Sequence, residues 1–271
     1  MGRQCLLAGL CAALGLAVSA AAAAASAPVP AAPGGSSTAA DAGPPAAFPR
    51  GHYAGLDRLP DWGGVWTFNF LPLPGVKREL PQLKGGYLAH YQAWEKVAAA
   101  HHGEVPHEGS YCLPPGMPGI MMVAQYPIEF LFTPGRVTIL HEAWMQVRNI
   151  WTDGRRHPDP DDLDPTFYGD SIGHWEGNTL VVDTVGIKTI TELRHGMNHS
   201  DRLHVIERFH LAADDPDTLV DDMLVEDPLA LAKPWHNVLS YKRARDQNLM
   251  EFECAENDRN PVDASGNTEF K

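Results

Sequence analysis

The sequence predicts an all-β fold: an antiparallel barrel or strongly curved meander carrying one packed helix. Three observations lead there. From Ile128 onward the chain falls into short runs that alternate apolar and polar side chains, the period of a half-buried strand. The runs are separated by turn chemistry, as in Thr133-Pro134-Gly135, Glu176-Gly177-Asn178, Asp214-Asp215-Pro216-Asp217, Asp227-Pro228 and Asp246-Gln247-Asn248. Only one stretch, Tyr87 to Ala100, carries a helical period with favourable alanine content and a glycine, Gly103, just past its end.

In chain order, Asp61-Trp62-Gly63-Gly64 is a turn into a first strand, Val65 to Phe68, and Pro72, Pro74 and Pro81 then forbid regular structure. The helix follows, with Leu88, Tyr91, Trp94 and Ala98 on one face, and a Gly- and Pro-rich loop runs from His101 to Pro118. Strands are expected at Ile128–Phe132, Arg136–Trp144 and Met145–Trp151, with a hairpin signal at Thr152-Asp153-Gly154-Arg155. An acidic loop from Pro158 to Pro165 leads to further strands at about 171–175, 179–185, 203–211, 219–226, 235–243 and 249–254. Eight or so short strands joined mainly by hairpins hide their edges best by closing, and one helix at an end makes the barrel lipocalin-like.

The first residues predict export. Arg3 precedes an apolar run from Cys5 to Val18, and Val18-Ser19-Ala20 has the small residues of a cleavage site, so residues 1–20 read as a signal peptide. The run is too short to span a bilayer comfortably, which leaves no membrane span after cleavage. Residues 21–49, almost all Ala, Pro, Gly and Ser, read as a disordered tether, because they bury too little apolar surface to offset their ordering entropy. Residues 50–271 form a single domain. The expected location is periplasmic or secreted.

Loss of Arg3 moves the formal charge from −13 to −14. An acidic chain without a basic cluster repels phosphate backbones, which excludes nucleic acid as a partner. Gly63-Gly64 and Gly85-Gly86 lack the context of a phosphate-binding loop. Cys5 and Cys11 leave with the signal, and the remaining pair, Cys112 and Cys254, is expected to bridge in an oxidising compartment. Closing so long a loop stabilises a fold by roughly 4–5 kcal/mol in the chain-entropy model.

Long motifs carry a resemblance. Ser171-Ile172-Gly173, Trp175-Glu176-Gly177 and Thr179-Leu180-Val181-Val182-Asp183-Thr184 are followed by His199-Ser200-Asp201, Leu203-His204-Val205 and Glu207-Arg208-Phe209. With Cys112-Leu113-Pro114-Pro115-Gly116-Met117-Pro118 upstream and Lys233-Pro234-Trp235 and Glu253-Cys254-Ala255-Glu256-Asn257 downstream, the chain resembles a family of secreted bacterial proteins, lipocalin-like in fold. The resemblance implies secretion and no particular activity. The family pattern has a histidine where this chain has Asp170, an arginine at His174, and an aromatic followed by asparagine at Ile187-Lys188.

Alternation then picks out candidate chemistry. Along 203–211 one face carries Leu203, Val205, Glu207, Phe209 and Leu211, so a carboxylate interrupts an apolar face. Asp183 does the same between Val181 and Val185. Each is either a general acid or base, or a buried carboxylate met by an Arg or by backbone donors. His199, Asp201 and His204 enter the same strand as a rim. There they read either as proton-shuttling groups or as turn caps and strand-edge hydrogen bonds. With Asp170 or His174 the rim could hold a divalent metal, although its spacing matches no standard zinc motif; otherwise no cofactor is expected. Tyr168, Asp170, His174, Trp175 and Asp183 are the expected ligand-binding set, and His101, His102 and His107 with Glu104 and Glu108 form a loop able to take up Cu or Zn incidentally. Ser200 lacks a nucleophile elbow.

The function expected is acid–base chemistry by a lyase, isomerase or hydratase on a small apolar or aromatic molecule in the barrel mouth. Glu207 or Asp201 would be the base, and His199 and His204 the acid or orienting groups. The alternatives are a non-catalytic carrier of a hydrophobic molecule and a metal-dependent enzyme.

Overall fold

The computed structural model describes residues 55–102 and 112–254, so the expected signal peptide and tether lie outside the described residues. The elements are β1 (Val65–Phe68), α1 (Gly85–Ala100), β2 (Ile128–Thr133), β3 (Arg136–His141), β4 (Gln146–Trp151), β5 (Asp170–Glu176) and β6 (Thr179–Val185). They continue with β7 (Glu192–Arg194), β8 (Met197–Asn198), β9 (His204–Ala212), β10 (Asp215–Glu226) and β11 (Trp235–Ala244). Nine strands close into a barrel in the order β1-β11-β10-β9-β6-β5-β4-β3-β2, while β7 and β8 form a separate hairpin.

The barrel is not purely antiparallel, and parity explains why. In a closed ring of antiparallel strands directions must alternate, which an odd number cannot satisfy; one parallel joint is the minimum. That joint is β4 to β5, where Ile150 pairs with Ser171 and Trp151 with Ile172. The turn expected at Thr152–Arg155 does form, with Gly154 at φ +83° and the Asp153 carboxylate accepting from the Arg155 backbone N–H. It does not make a hairpin. Segment 152–169, with Pro158, Pro160 and Pro165, carries the chain back along the barrel so that β5 starts beside the end of β4.

The expected strand at 249–254 is also absent. Both edges of β11 are already filled, by β10 and β1, so no ladder is left for the chain to join. The segment is held instead by a disulfide between Cys112 and Cys254, with Cα atoms 5.6 Å apart. Phe252 packs there on Tyr126 at 4.8 Å and Trp144 at 5.5 Å between ring centroids.

Helix α1 begins two residues before the predicted start and buries only Ala98 fully. Its Trp94 lies over Gly196, where any Cβ would collide with the indole. In the barrel, Glu176 and Thr179 end a two-residue turn whose first residue, Gly177, sits at φ +61°, as a primed hairpin turn demands. One end of the interior is plugged by Trp62, which contacts Phe130, Phe132, Trp175 and Phe209 with centroids 5.2–6.4 Å apart. Gly173 belongs inside this packing. A Cβ on it would meet Ile150 Cγ2 at 2.8 Å and the Val181 carbonyl at 3.1 Å, so the strand needs glycine to let β4 and β6 approach.

Candidate functional site

Beyond the aromatic plug the inward side chains turn polar. Strand alternation aims His141 (β3), Arg148 (β4), Ser171 (β5), Thr184 (β6), Glu207 (β9), Asp221 (β10) and Tyr241 (β11) away from solvent, and all seven are buried. Arg148 reaches from β4 past β5 and β6 to Glu207 on β9. Its Nη1 donates to Glu207 Oε1 at 2.9 Å and its Nη2 to Oε2 in a bidentate pair. The same Nη2 donates to Thr184 Oγ1 at 3.0 Å and to Ser171 Oγ at 3.3 Å, and those two hydroxyls bond each other at 2.9 Å. Glu207 is therefore the odd residue on an apolar face that the sequence marks, and a guanidinium meets it.

Asp221 is different. It is wholly buried, and neither carboxyl oxygen has a hydrogen-bond donor among the described residues. Register places it diagonally from Glu207, since Asp221 faces Phe209 and Met223 faces Glu207. Diagonal neighbours on one sheet face lie about 7–8 Å apart. Burial pushes its carboxyl well above the usual carboxylate range, the charge of Glu207 adds to this, and Arg148 opposes it. Burial therefore favours the protonated form of Asp221 over the carboxylate.

Two more groups complete the interior. Burial also raises the Tyr241 phenol, whose hydroxyl donates to the Met121 carbonyl at 2.6 Å. Burial, then the nearby Arg148 charge, lowers His141 to about 3, so its imidazole is neutral. His141 stacks on Tyr168 with centroids 6.4 Å apart, and both His141 Nε2 and Tyr168 Oη are buried without a protein partner. The barrel interior thus holds one ion pair and, among the described residues, three groups with buried polar atoms that lack a partner: the Asp221 carboxyl, His141 Nε2 and Tyr168 Oη. Such orphaned groups are what a polar ligand or solvent satisfies.

The outer face carries a second network. His157 Nδ1 bonds Asp170 Oδ1 at 2.5 Å and its Nε2 bonds Asp183 Oδ1 at 3.1 Å. His204 Nε2 bonds Asp183 Oδ1 at 2.8 Å, and its Nδ1 lies 3.4 Å from Glu226 Oε2. The bond to Asp183 raises the His204 imidazole, and the bond from His204 holds Asp183 low. Asp183 is therefore not inward as its place between Val181 and Val185 suggests. Leu180, Val182 and Thr184 form the buried face of β6; both faces of that strand carry apolar residues, so alternation alone does not say which one turns inward.

The expected catalytic set does not meet. His199 is buried, its Nδ1 on the Ser200 carbonyl at 2.7 Å and its Nε2 on Thr191 Oγ1 at 2.9 Å. Asp201 is exposed, with only Arg202 within 3.9 Å as an ion-pair partner. His204 lies on the outside of β9 and Glu207 on the inside, since even and odd positions of one strand face opposite ways. Ser200 serves a buried turn: its Oγ donates to Asp227 Oδ1 at 2.7 Å. The expected ligand set is likewise divided. Tyr168 reaches the interior groups, Trp175 is in the plug, Asp170 and Asp183 bind His157 outside, and exposed His174 bonds Glu176 at 3.2 Å. Among the described residues no three His, Cys, Asp or Glu side chains converge to hold a metal ion. Of the loop histidines, His101 and His102 are exposed, while His107, Glu104 and Glu108 lie outside the described residues.

Asp221 had a signal in the sequence, because Leu219, Asp221, Met223 and Val225 repeat the pattern that singles out Glu207. Arg148 and His141 had none, since their meaning comes from facing across a closed barrel. Fold and interior together define a closed β-barrel protein with buried acid–base groups. Comparison with models of known protein families and with curated proteins yields no match to this chain.

Proposed function

We propose that the protein is an acid–base enzyme, of the lyase, isomerase or hydratase kind, acting outside the cytoplasm on a small apolar or aromatic molecule that carries a polar group. The observation that supports this most is Asp221: a buried carboxylic acid with no protein partner, diagonal to a carboxylate held by arginine. Neighbouring titratable groups kept in different protonation states by their surroundings are the usual arrangement of an acid and a base. In this reading Glu207 takes a proton from the substrate while Asp221 delivers its own to the atom that gains electrons. The two carboxyls then restore their starting states by passing the proton between them. Arg148 supplies the positive charge that keeps the interior balanced, and His141 Nε2 and Tyr168 Oη orient the polar end of the substrate. The Cys112–Cys254 disulfide supports a periplasmic or secreted location, as does the resemblance to secreted proteins.

Proton transfer can be detected without knowing the product. Small carbonyl compounds with aromatic or isoprenoid bodies, incubated with the protein in D2O, should acquire deuterium at an acidic carbon. Mass spectrometry should show this exchange with the wild type and its loss in Asp221→Asn and Glu207→Gln. A compound that binds saturably yet exchanges no faster than in buffer would favour the carrier and sink the enzymatic reading.

A further inference from the structure

We infer that the protein has a second binding site, on its outside, for a small molecule with an apolar or aromatic body and one anionic group. The site is a groove of about 620 Å³ beside the disulfide, a size that suits a small ligand. Met122, Val123, Tyr126, Trp144 and Phe252 form its apolar walls, and exposed Arg194 stands on its rim.

Three observations point to a ligand. First, Trp144 has an Nε1–H that is buried and has no acceptor among the described residues. Its backbone stands at φ +56° and that of Met145 at φ +48°, a left-handed pair that bulky residues rarely adopt and that clusters at binding sites. The indole is held there by Phe252, whose ring centroid is 5.5 Å away, and by Tyr126 at 6.5 Å. Second, the Arg194 guanidinium has no carboxylate at ion-pair distance among the described residues; its Nη1 contacts only the thioether of Met122, at 4.0 Å. Its charge is felt by the phenol of Tyr91, itself bonded to Glu95 on α1. An unpaired guanidinium on an acidic protein is a selective seat for an anion. Third, the one carboxylate in the lining, Glu192, is engaged: its Oε2 accepts the Gly196 N–H at 2.9 Å.

The occupant is thus argued from complementarity: a planar apolar body for the aromatic walls, an acceptor for Trp144, an anion for Arg194. The Phe252 wall is set by segment 249–254, which the disulfide pins at Cys254 and which Glu142 fixes by accepting the Met250 N–H at 2.7 Å.

The probe is 2-naphthoate, titrated calorimetrically into the full, disulfide-intact chain, with uncharged 2-naphthylmethanol alongside. The expected result is saturable one-to-one binding of naphthoate. Arg194→Gln should weaken it about tenfold and leave the alcohol unchanged, the loss of one charge-assisted contact. Phe252→Ala should weaken both, and Asp221→Asn neither. Equal naphthoate affinity in Arg194→Gln and wild type would overturn the assignment. So would an absence of saturable binding, or loss of binding in Asp221→Asn, which would move the ligand into the barrel interior.

Discussion

Replacing Arg148 with methionine tests what holds the barrel interior together. The substitution keeps the aliphatic stem but removes both donors to Glu207 and the contacts to Thr184 and Ser171. Ser171 and Thr184 can still bond each other, so their loss is small. Glu207 cannot recover: it is wholly buried, no other guanidinium or ammonium among the described residues pairs with it, and Asp221 lies diagonal to it. Stripping one partner from a buried ion pair costs about 3–5 kcal/mol, because the other charge stays desolvated. Arg148→Lys should be intermediate, since an ammonium cannot make the bidentate pair. The double variant Arg148→Met/Glu207→Leu should recover most of the loss, to within about 1–2 kcal/mol of wild type, because no charge then remains to be buried unpaired. Urea unfolding under non-reducing conditions, followed by tryptophan fluorescence, measures all three. A cost below about 1 kcal/mol for Arg148→Met, or a double variant as unstable as the two single changes summed, would refute the reasoning.

Other outcomes follow from the same structure. Asp221 is raised, so its native state keeps a proton that the unfolded chain gives up above the ordinary value of 3.8. Stability therefore falls as pH rises, by up to about 1.4 kcal/mol per unit until the native carboxyl itself ionises, and Asp221→Asn should lack this slope. Comparing urea midpoints of the two proteins from mildly acidic to neutral pH reads the difference; parallel curves would mean Asp221 is not raised. On the outer face the signs are opposite for the two partners. His204, raised above 6.5, stabilises fully below that value and loses its contribution as pH rises through the native value. Asp183, held below 3.8, stabilises above that value and loses its contribution as pH falls through the native one. The bond is thus strongest between the two, and His204→Asn should remove a few tenths of a kcal/mol there, the remainder being screened by solvent. Gly173→Ala should cost about 1–3 kcal/mol, because the added methyl overlaps Ile150 and the Val181 carbonyl. Thermal unfolding checks it, and an unchanged midpoint would show that β4 and β6 can part.

Strands were legible where a period of two met turn residues: β9, β10 and β11 lie within a few residues of the predicted runs. The disulfide was legible because only two cysteines lie after residue 20. The parallel joint was not. Thr152–Arg155 does make its turn, and nothing local says that the next strand must enter from the opposite end. Glu207 was readable as an inward carboxylate because its neighbours Val205 and Phe209 are both core residues. Asp183 was not, since β6 offers apolar residues on either face and only its pairing with β5 and β9 decides between them. The rim of His199, Asp201 and His204 dissolved because nearness in sequence says little about where three side chains point. His199 turns into a buried turn, Asp201 to solvent and His204 to the barrel exterior. The interior group needed five neighbouring strands, β4, β5, β6, β9 and β10, to be in place before Arg148, Glu207 and Asp221 could be seen as one cluster.

The claim on which the functional proposal rests is that Asp221 is a neutral acid inside the folded barrel. Infrared difference spectroscopy of wild type against Asp221→Asn at neutral pH addresses it directly. A carbonyl band of a protonated carboxyl, present in the wild type, missing from the variant and slow to shift in D2O, is the result predicted. If the variant instead loses only carboxylate bands, Asp221 is ionised and the proposed acid does not exist.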